Sequence, residues 1–239
     1  MRTTAAMRSI WFGLVDPRRI RQTPTEAAAA VFAVAVLAVS LVGTLCTLWE
    51  QGSASLVRES AILSQQTPAA TGAAEGIDLS LPQRQFTGAL GGTLIITIVS
   101  YAALAGVFMI LVRFLTDCAV SYSKAIIATS SLALVSMLDS FIATALHVVT
   151  GTIKIGVHAG VWLQPSESPM LFTWLQLISL ESVWRYLAIA VALVTWENLH
   201  WRYGIVVGLV VWGVTRAIFG LMALVGWIVG LQGAGQLAP

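Results

Sequence analysis

The chain has 239 residues, of which 57% are hydrophobic and only 10% charged, with a mean hydropathy of +0.85; an ordinary soluble domain is roughly a quarter charged. So little polar surface excludes a soluble globular fold, and the length accommodates about five membrane-spanning helices of roughly 20 residues but no separate catalytic domain. The formal charge of +2 is the balance of 13 basic and 11 acidic side chains, too sparse a set for a nucleic-acid-binding surface.

The first segment, 1–24, carries Arg2, Arg8, Arg18, Arg19 and Arg21 against a single acid, Asp16. Within it Met7, Ile10, Trp11 and Leu14 recur at i, i+3, i+4, i+7, one apolar face of a short helix. That face beside the arginines predicts an interfacial helix on an anionic leaflet, with Trp11, Arg18, Arg19 and Arg21 touching the membrane surface. A solvated basic tail is the plainer alternative. Asp16-Pro17 ends the helix, because the residue before proline avoids the α region.

The run Ala27 to Leu48 exceeds the ~7–15-residue core of a secretory signal and reads as a retained first span, 25–48, closed by Trp49 at headgroup level. Residues 50–85, rich in Ala, Ser, Gly, Thr and Gln, predict a flexible outer loop with a short helix over Ala54 to Leu63. The second span covers about 87–111, where Gly88 and Gly92 make a small-xxx-small face that admits a neighbouring helix. The third, 123–150, carries a small and polar stripe: Ser136, Asp139, Ser140, Ala143, His147 and Thr150.

Residues 151–169 read as irregular, and 169–178 as a half-buried surface helix, since Leu171, Trp174, Leu175 and Ile178 share one face. Spans four and five, 179–196 and 203–230, are joined by a short loop and should be antiparallel neighbours. Span five carries Gly213, Arg216 and Gly220 on one stripe and a further glycine pair, Gly226 and Gly230; the tail 231–239 is uncharged. The fold class expected is an all-α, polytopic membrane bundle of five spans with an N-terminal interfacial helix.

Orientation follows from the flanking cations. With the N-terminus inside, the inner segments hold Arg2, Arg8, Arg18, Arg19, Arg21, Arg113, Lys124 and Arg202, against Arg58, Arg84 and Lys154 outside. The bias favours a cytoplasmic N-terminus and an external C-terminus. Cys46 and Cys118 then lie near opposite faces, too far apart for a disulfide.

Two ionisable residues fall deep inside spans. Asp139 is about 24 Å into span three and Arg216 about 20 Å into span five at ~1.5 Å per residue, so a mutual ion pair is the expected arrangement, structural rather than part of a transport path. Glu181 and Arg185 make an i, i+4 pair in span four. His147, His158 and His200 are isolated, and no HExxH, phosphate-binding glycine loop or nucleophile elbow occurs. Neither enzyme activity nor a metal or other cofactor is expected.

Three stretches carry a family likeness: IWFGLVDPRRIRQTP (Ile10 to Pro24), VRFLTDCAVSYSKAIIATSSLALV (Val112 to Val135) and LISLESVWRYLAIAVALVTWENL (Leu177 to Leu199). With the span count, they make the chain resemble bacterial members of the Yip family, five-span membrane proteins whose eukaryotic relatives bind Rab-type GTPases. The Asp-Leu-Tyr-Gly-Pro motif of the eukaryotic members is absent, so GTPase binding does not carry over. The resemblance implies a non-enzymatic inner-membrane protein that organises membrane or binds other membrane proteins or its own copies. The alternatives are a small transporter or channel component using Asp139 and Arg216, and an accessory subunit of a larger membrane complex.

Overall fold

The computed structural model describes residues 2–53, 55–57, 82–152, 155–156, 158–163, 169–176 and 178–235. Among these, α1 covers Arg2–Val15, α2 Ala28–Gln51, α3 Pro82–Thr116, α4 Tyr122–Ser130, α5 Ala133–Thr150, α6 Pro169–Gln176, α7 Leu180–Trp196 and α8 Trp201–Gly235. Short 3-10 turns occupy Pro17–Gln22, Thr25–Ala27 and Ala159–Trp162. The described residues are thus all-helical, joined otherwise by one antiparallel bridge between His158 and Ser179. Most of the expected outer loop 50–85 and the end of the tail lie outside the described residues. Of the short helix expected over 54–63, only 55–57 are described, and these are helical.

Four stretches are long and apolar enough to cross a membrane: Thr25–Gln51, Phe86–Thr116, Tyr122–Thr150 and Trp201–Leu221. The fourth span expected from the sequence is the exception. Helix α7 has 17 residues, about 25 Å at ~1.5 Å per residue, short of the ~20 residues a lipid-facing span needs. It is also enclosed by the others along its second half, with Ala188, Ile189, Ala190, Ala192, Leu193 and Val194 all buried. A helix walled by protein is not required to match the bilayer thickness by itself. Its first turn is satisfied locally, since Ser179 Oγ accepts from the Ser182 amide at 3.0 Å.

The third span is not one helix. A run of hydroxyls, Thr129-Ser130-Ser131, ends α4, and Ser131 Oγ donates to the Ile127 carbonyl at 2.6 Å; such back-bonding bends helices. Every residue from Ala125 to Ala133 is buried around this break, so α4 sits at the centre of its half of the bundle.

One wall around the break comes from α1, one side of which packs on the bundle. Ala6, Ser9, Phe12 and Gly13 face the bundle, while Met7 (63% exposed), Trp11 (57%) and Val15 (60%) look outward. Ser9 Oγ meets Ser131 Oγ at 2.5 Å; because Ser131 donates to Ile127, Ser9 is the donor here. A Cβ at Gly13 would lie 1.9 Å from the Ser131 carbonyl oxygen, so only glycine permits this approach. Of the apolar face read from the sequence, Met7 and Trp11 are uncovered while Ile10 and Leu14 are half-buried, and Ala6, Ser9, Phe12 and Gly13 make the buried face.

Two polar pairs mark the ends of the bundle. Lys124 Nζ binds Glu197 Oε1 at 2.7 Å, tying the start of α4 to the end of α7. At the other end Glu50 Oε1 is 2.7 Å from His147 Nδ1 and accepts from Thr144 Oγ1 at 3.3 Å. Lys124 and His147 are 147 − 124 = 23 residues apart, about 35 Å of helix, comparable with a hydrocarbon core of ~30 Å.

Candidate functional site

Four helices bring polar side chains together in the apolar middle of the bundle. Glu181 and Arg185 lie one turn apart on α7, Arg185 Nη1 to Glu181 Oε1 at 3.4 Å, the pair expected from their spacing. Ser136 of α5 completes the group: its hydroxyl donates to Glu181 Oε1 at 3.1 Å and accepts from Arg185 Nη1 at 3.3 Å. Tyr101 of α3 is buried beside the same serine. Arg216 of α8 lays its guanidinium over the Tyr186 ring, 5.5 Å from the centroid, a cation–π contact. Trp212 of α8 donates Nε1–H to Ser182 Oγ at 3.1 Å.

The ion pair expected between Asp139 and Arg216 is not formed. No contact within 4.0 Å joins them or links either to another charge among the described residues. The reason is lateral. Helix α5 packs chiefly on α2, and α8 packs chiefly on α7, so α7 intervenes and both charges instead feel its Glu181 and Arg185. Depth counting put the two at one level but did not identify which helices are neighbours. The stripe on α5 is otherwise partly as expected, with Ser136 and His147 turned toward protein partners.

Between α3, α7 and α8 this arrangement leaves a cavity of about 430 Å³ lined by Tyr101, Leu104, Arg185, Tyr186, Thr215 and Arg216. The Nε atoms of Arg185 and Arg216 are buried without a hydrogen-bond partner.

A second cavity, about 640 Å³, lies where the N-terminal segment folds against α7 and α8. Trp11, Val15, Trp184, Leu187 and Val191 wall it, with Arg18 and Arg19 also on its lining. Asp16 builds this corner: its carboxylate caps the turn Pro17–Gln22 through the Arg18 amide and holds Arg18 Nε at 3.1 Å and Arg19 Nε at 3.3 Å. Both arginines keep about three-fifths of their side chains exposed. Three of the predicted membrane-contact residues, Trp11, Arg18 and Arg19, thus meet in one cleft. Arg21 lines an adjoining one with Arg18, Asn198 and His200.

The predicted packing glycines behave differently. Gly88 and Gly92 have nothing within 4 Å of where a Cβ would stand among the described residues. Gly226 and Gly230 lie in the last turns of α8, where only the backbone is described. Besides Gly13, Gly204 and Gly208 bring helix backbones together, where a Cβ would fall 2.5 Å from Val191 Cα and 2.8 Å from Leu187 Cα, and Gly220 lies against the Trp174 side chain. The small-xxx-small spacing of Gly204 and Gly208, GIVVG, was present in the sequence and passed over, as was Gly13.

Outside the long helices, His158 is pinned between Gly156 and Gly160, edge-on to Phe172 at 5.8 Å, with both ring nitrogens buried and unpartnered. Burial, and secondarily the charge of His147, holds its imidazole below the ordinary value of 6.5.

Comparison of the chain with models of known protein families, with characterised proteins and with solved structures finds no match.

Proposed function

We propose that this is a five-span inner-membrane protein, N-terminus cytoplasmic, that works by binding membrane components rather than by catalysis, the role its resemblance to the Yip family implies. The observation that carries the reading is the cleft under the N-terminal segment. Its walls are tryptophan and aliphatic side chains, its lining includes two exposed guanidiniums, and it lies at the end of the bundle where the cationic flanks gather. An acyl chain suits the walls and an anionic headgroup suits Arg18 and Arg19. The open glycine face at Gly88 and Gly92 is a second surface, for a helix of another membrane protein or a second copy.

Helix α7 acts as the fourth of the five crossings in this reading. Its end is tied to Lys124, while its start neighbours His158, on the stretch that follows Thr150 at the opposite end of α5. Reporter enzymes fused after residues 165 and 200 test the crossing, and the same compartment for both would end the five-span reading. Native mass spectrometry of the purified protein tests the cleft. The wild type should retain at least one phosphatidylglycerol more per chain than the Arg18→Gln, Arg19→Gln double variant, and equal stoichiometry in both would remove the cleft from the function.

A further inference from the structure

Neither Glu181 nor Asp139 lines the cavity between α3, α7 and α8, yet two guanidiniums do. Glu181 is already engaged by Ser136 and Arg185, and Arg216 has no carboxylate within 4.0 Å among the described residues. Arginine keeps its charge and presents a planar fork of five N–H donors. Tyr186 covers one face of the Arg216 guanidinium, which orients the plane and leaves its edge for an acceptor. The Nε–H groups of Arg185 and Arg216 are buried without a partner and out of reach of a water-sized molecule, so an anion in the cavity would meet the Nη edges, and an unpaired charge in an apolar surrounding is costly to leave so. A charged group kept there marks a functional site by default.

We propose that this cavity binds a phosphate or carboxylate anion, held by Arg185 and Arg216. Both groups accept the paired hydrogen bonds that a guanidinium donates. At about 430 Å³ the space has the size of a small-molecule site and holds more than a bare oxyanion; its wall at Leu104 is apolar and suits a hydrocarbon attachment. Two sources share this chemistry, the headgroup of a membrane lipid and a free anion from solution. The inference uses none of the residues of the N-terminal cleft and goes beyond the function proposed above; either can fail alone.

The test is calorimetric titration of the full-length protein in uncharged detergent with two probes, inorganic phosphate and a short-chain phosphatidylglycerol. Arg216→Gln should weaken binding about tenfold or more, the usual effect of losing a charge-assisted hydrogen bond. Ala103→Trp provides a second variant: Ala103 of α3 also lines the cavity, on its exposed side, so the indole fills the space and leaves both arginines in place. Phosphate binding that Arg216→Gln weakens identifies a free anion. Binding of the lipid alone, weakened by Arg216→Gln and blocked by Ala103→Trp, identifies a headgroup. If Arg216→Gln does not fold by circular dichroism, Arg216→Lys and Ala103→Trp decide the matter in the same way. The proposal is overturned if the wild type binds neither probe, or if the folded variants bind them as the wild type does.

Discussion

Replacing Gly13 by alanine probes how the N-terminal segment is held. The added methyl would stand 1.9 Å from the Ser131 carbonyl oxygen and 2.5 Å from its carbon. Both are backbone atoms at the buried α4–α5 break, so neither can swing aside. The helix α1 must lift instead, and lifting breaks the Ser9–Ser131 hydrogen bond and unseats Phe12. Against lipid, Phe12 loses packing but gains no water, so the full transfer energy of a buried aromatic does not apply. Overpacking against rigid neighbours costs about 1–3 kcal/mol, and the serine pair contributes about 0.5–1.5 kcal/mol. A Ser9→Cys reporter already lacks the serine pair, so in it only the overpacking counts, and about 1–3 kcal/mol multiplies the undocked population by roughly 5 to 160. In a Cys46→Ala, Cys118→Ala background, a single Ser9→Cys reports undocking as the rate of maleimide labelling in membranes. Gly13→Ala should raise that rate strongly, whereas Val15→Ala, on the exposed face, should leave it near the parent's. An unchanged rate in Gly13→Ala would refute the close approach of α1 to the break.

Gly204→Leu and Gly208→Leu should each destabilise the chain by at least about 1–3 kcal/mol in thermal unfolding in detergent, because the new side chains meet the backbone of α7; Gly88→Leu, where no described residue stands within 4 Å of the Cβ, should leave the melting temperature of the monomer unchanged. His158 sets a pH dependence of defined sign. Burial holds its folded-state value below 6.5, so the undocked segment binds the proton more readily, and stability is complete above about pH 6.5 and falls as pH drops below it. Hydrogen exchange of the amides from Ala159 to Leu163, corrected for intrinsic rates, should accelerate between pH 7.5 and 5.5 in the wild type and not in His158→Leu; no difference between them would exclude the histidine.

Much of the candidate site was legible residue by residue and little of it as an arrangement. Glu181 and Arg185 were readable as a pair because helical spacing alone brings i and i+4 together. Ser136 was on the stripe predicted to face protein, and it does. Arg216 was recognisable as costly, but its partner was misassigned, since depth along a helix is encoded in residue number while the order of helices around the bundle is not. Tyr101 and Tyr186 carried no signal in advance: an aromatic in an apolar run reads as lipid-facing until its neighbours are known.

The sequence by itself determined the solvent and the helices. With 10% charge and long uninterrupted apolar runs, four stretches have no stable home in water, and their limits follow from prolines, glycines and polar clusters. Tertiary structure alone decided which face of each helix turns inward. Lipid is as apolar as leucine, so hydrophobicity gives a spanning helix almost no preference for its partners. The choice falls to close-packing small residues and to polar groups that must find one another. That is why Gly13, Gly204 and Gly208 set the contacts, why Met7 and Trp11 of α1 stay outside, and why Asp139 and Arg216, level in depth, stand on helices that α7 keeps apart.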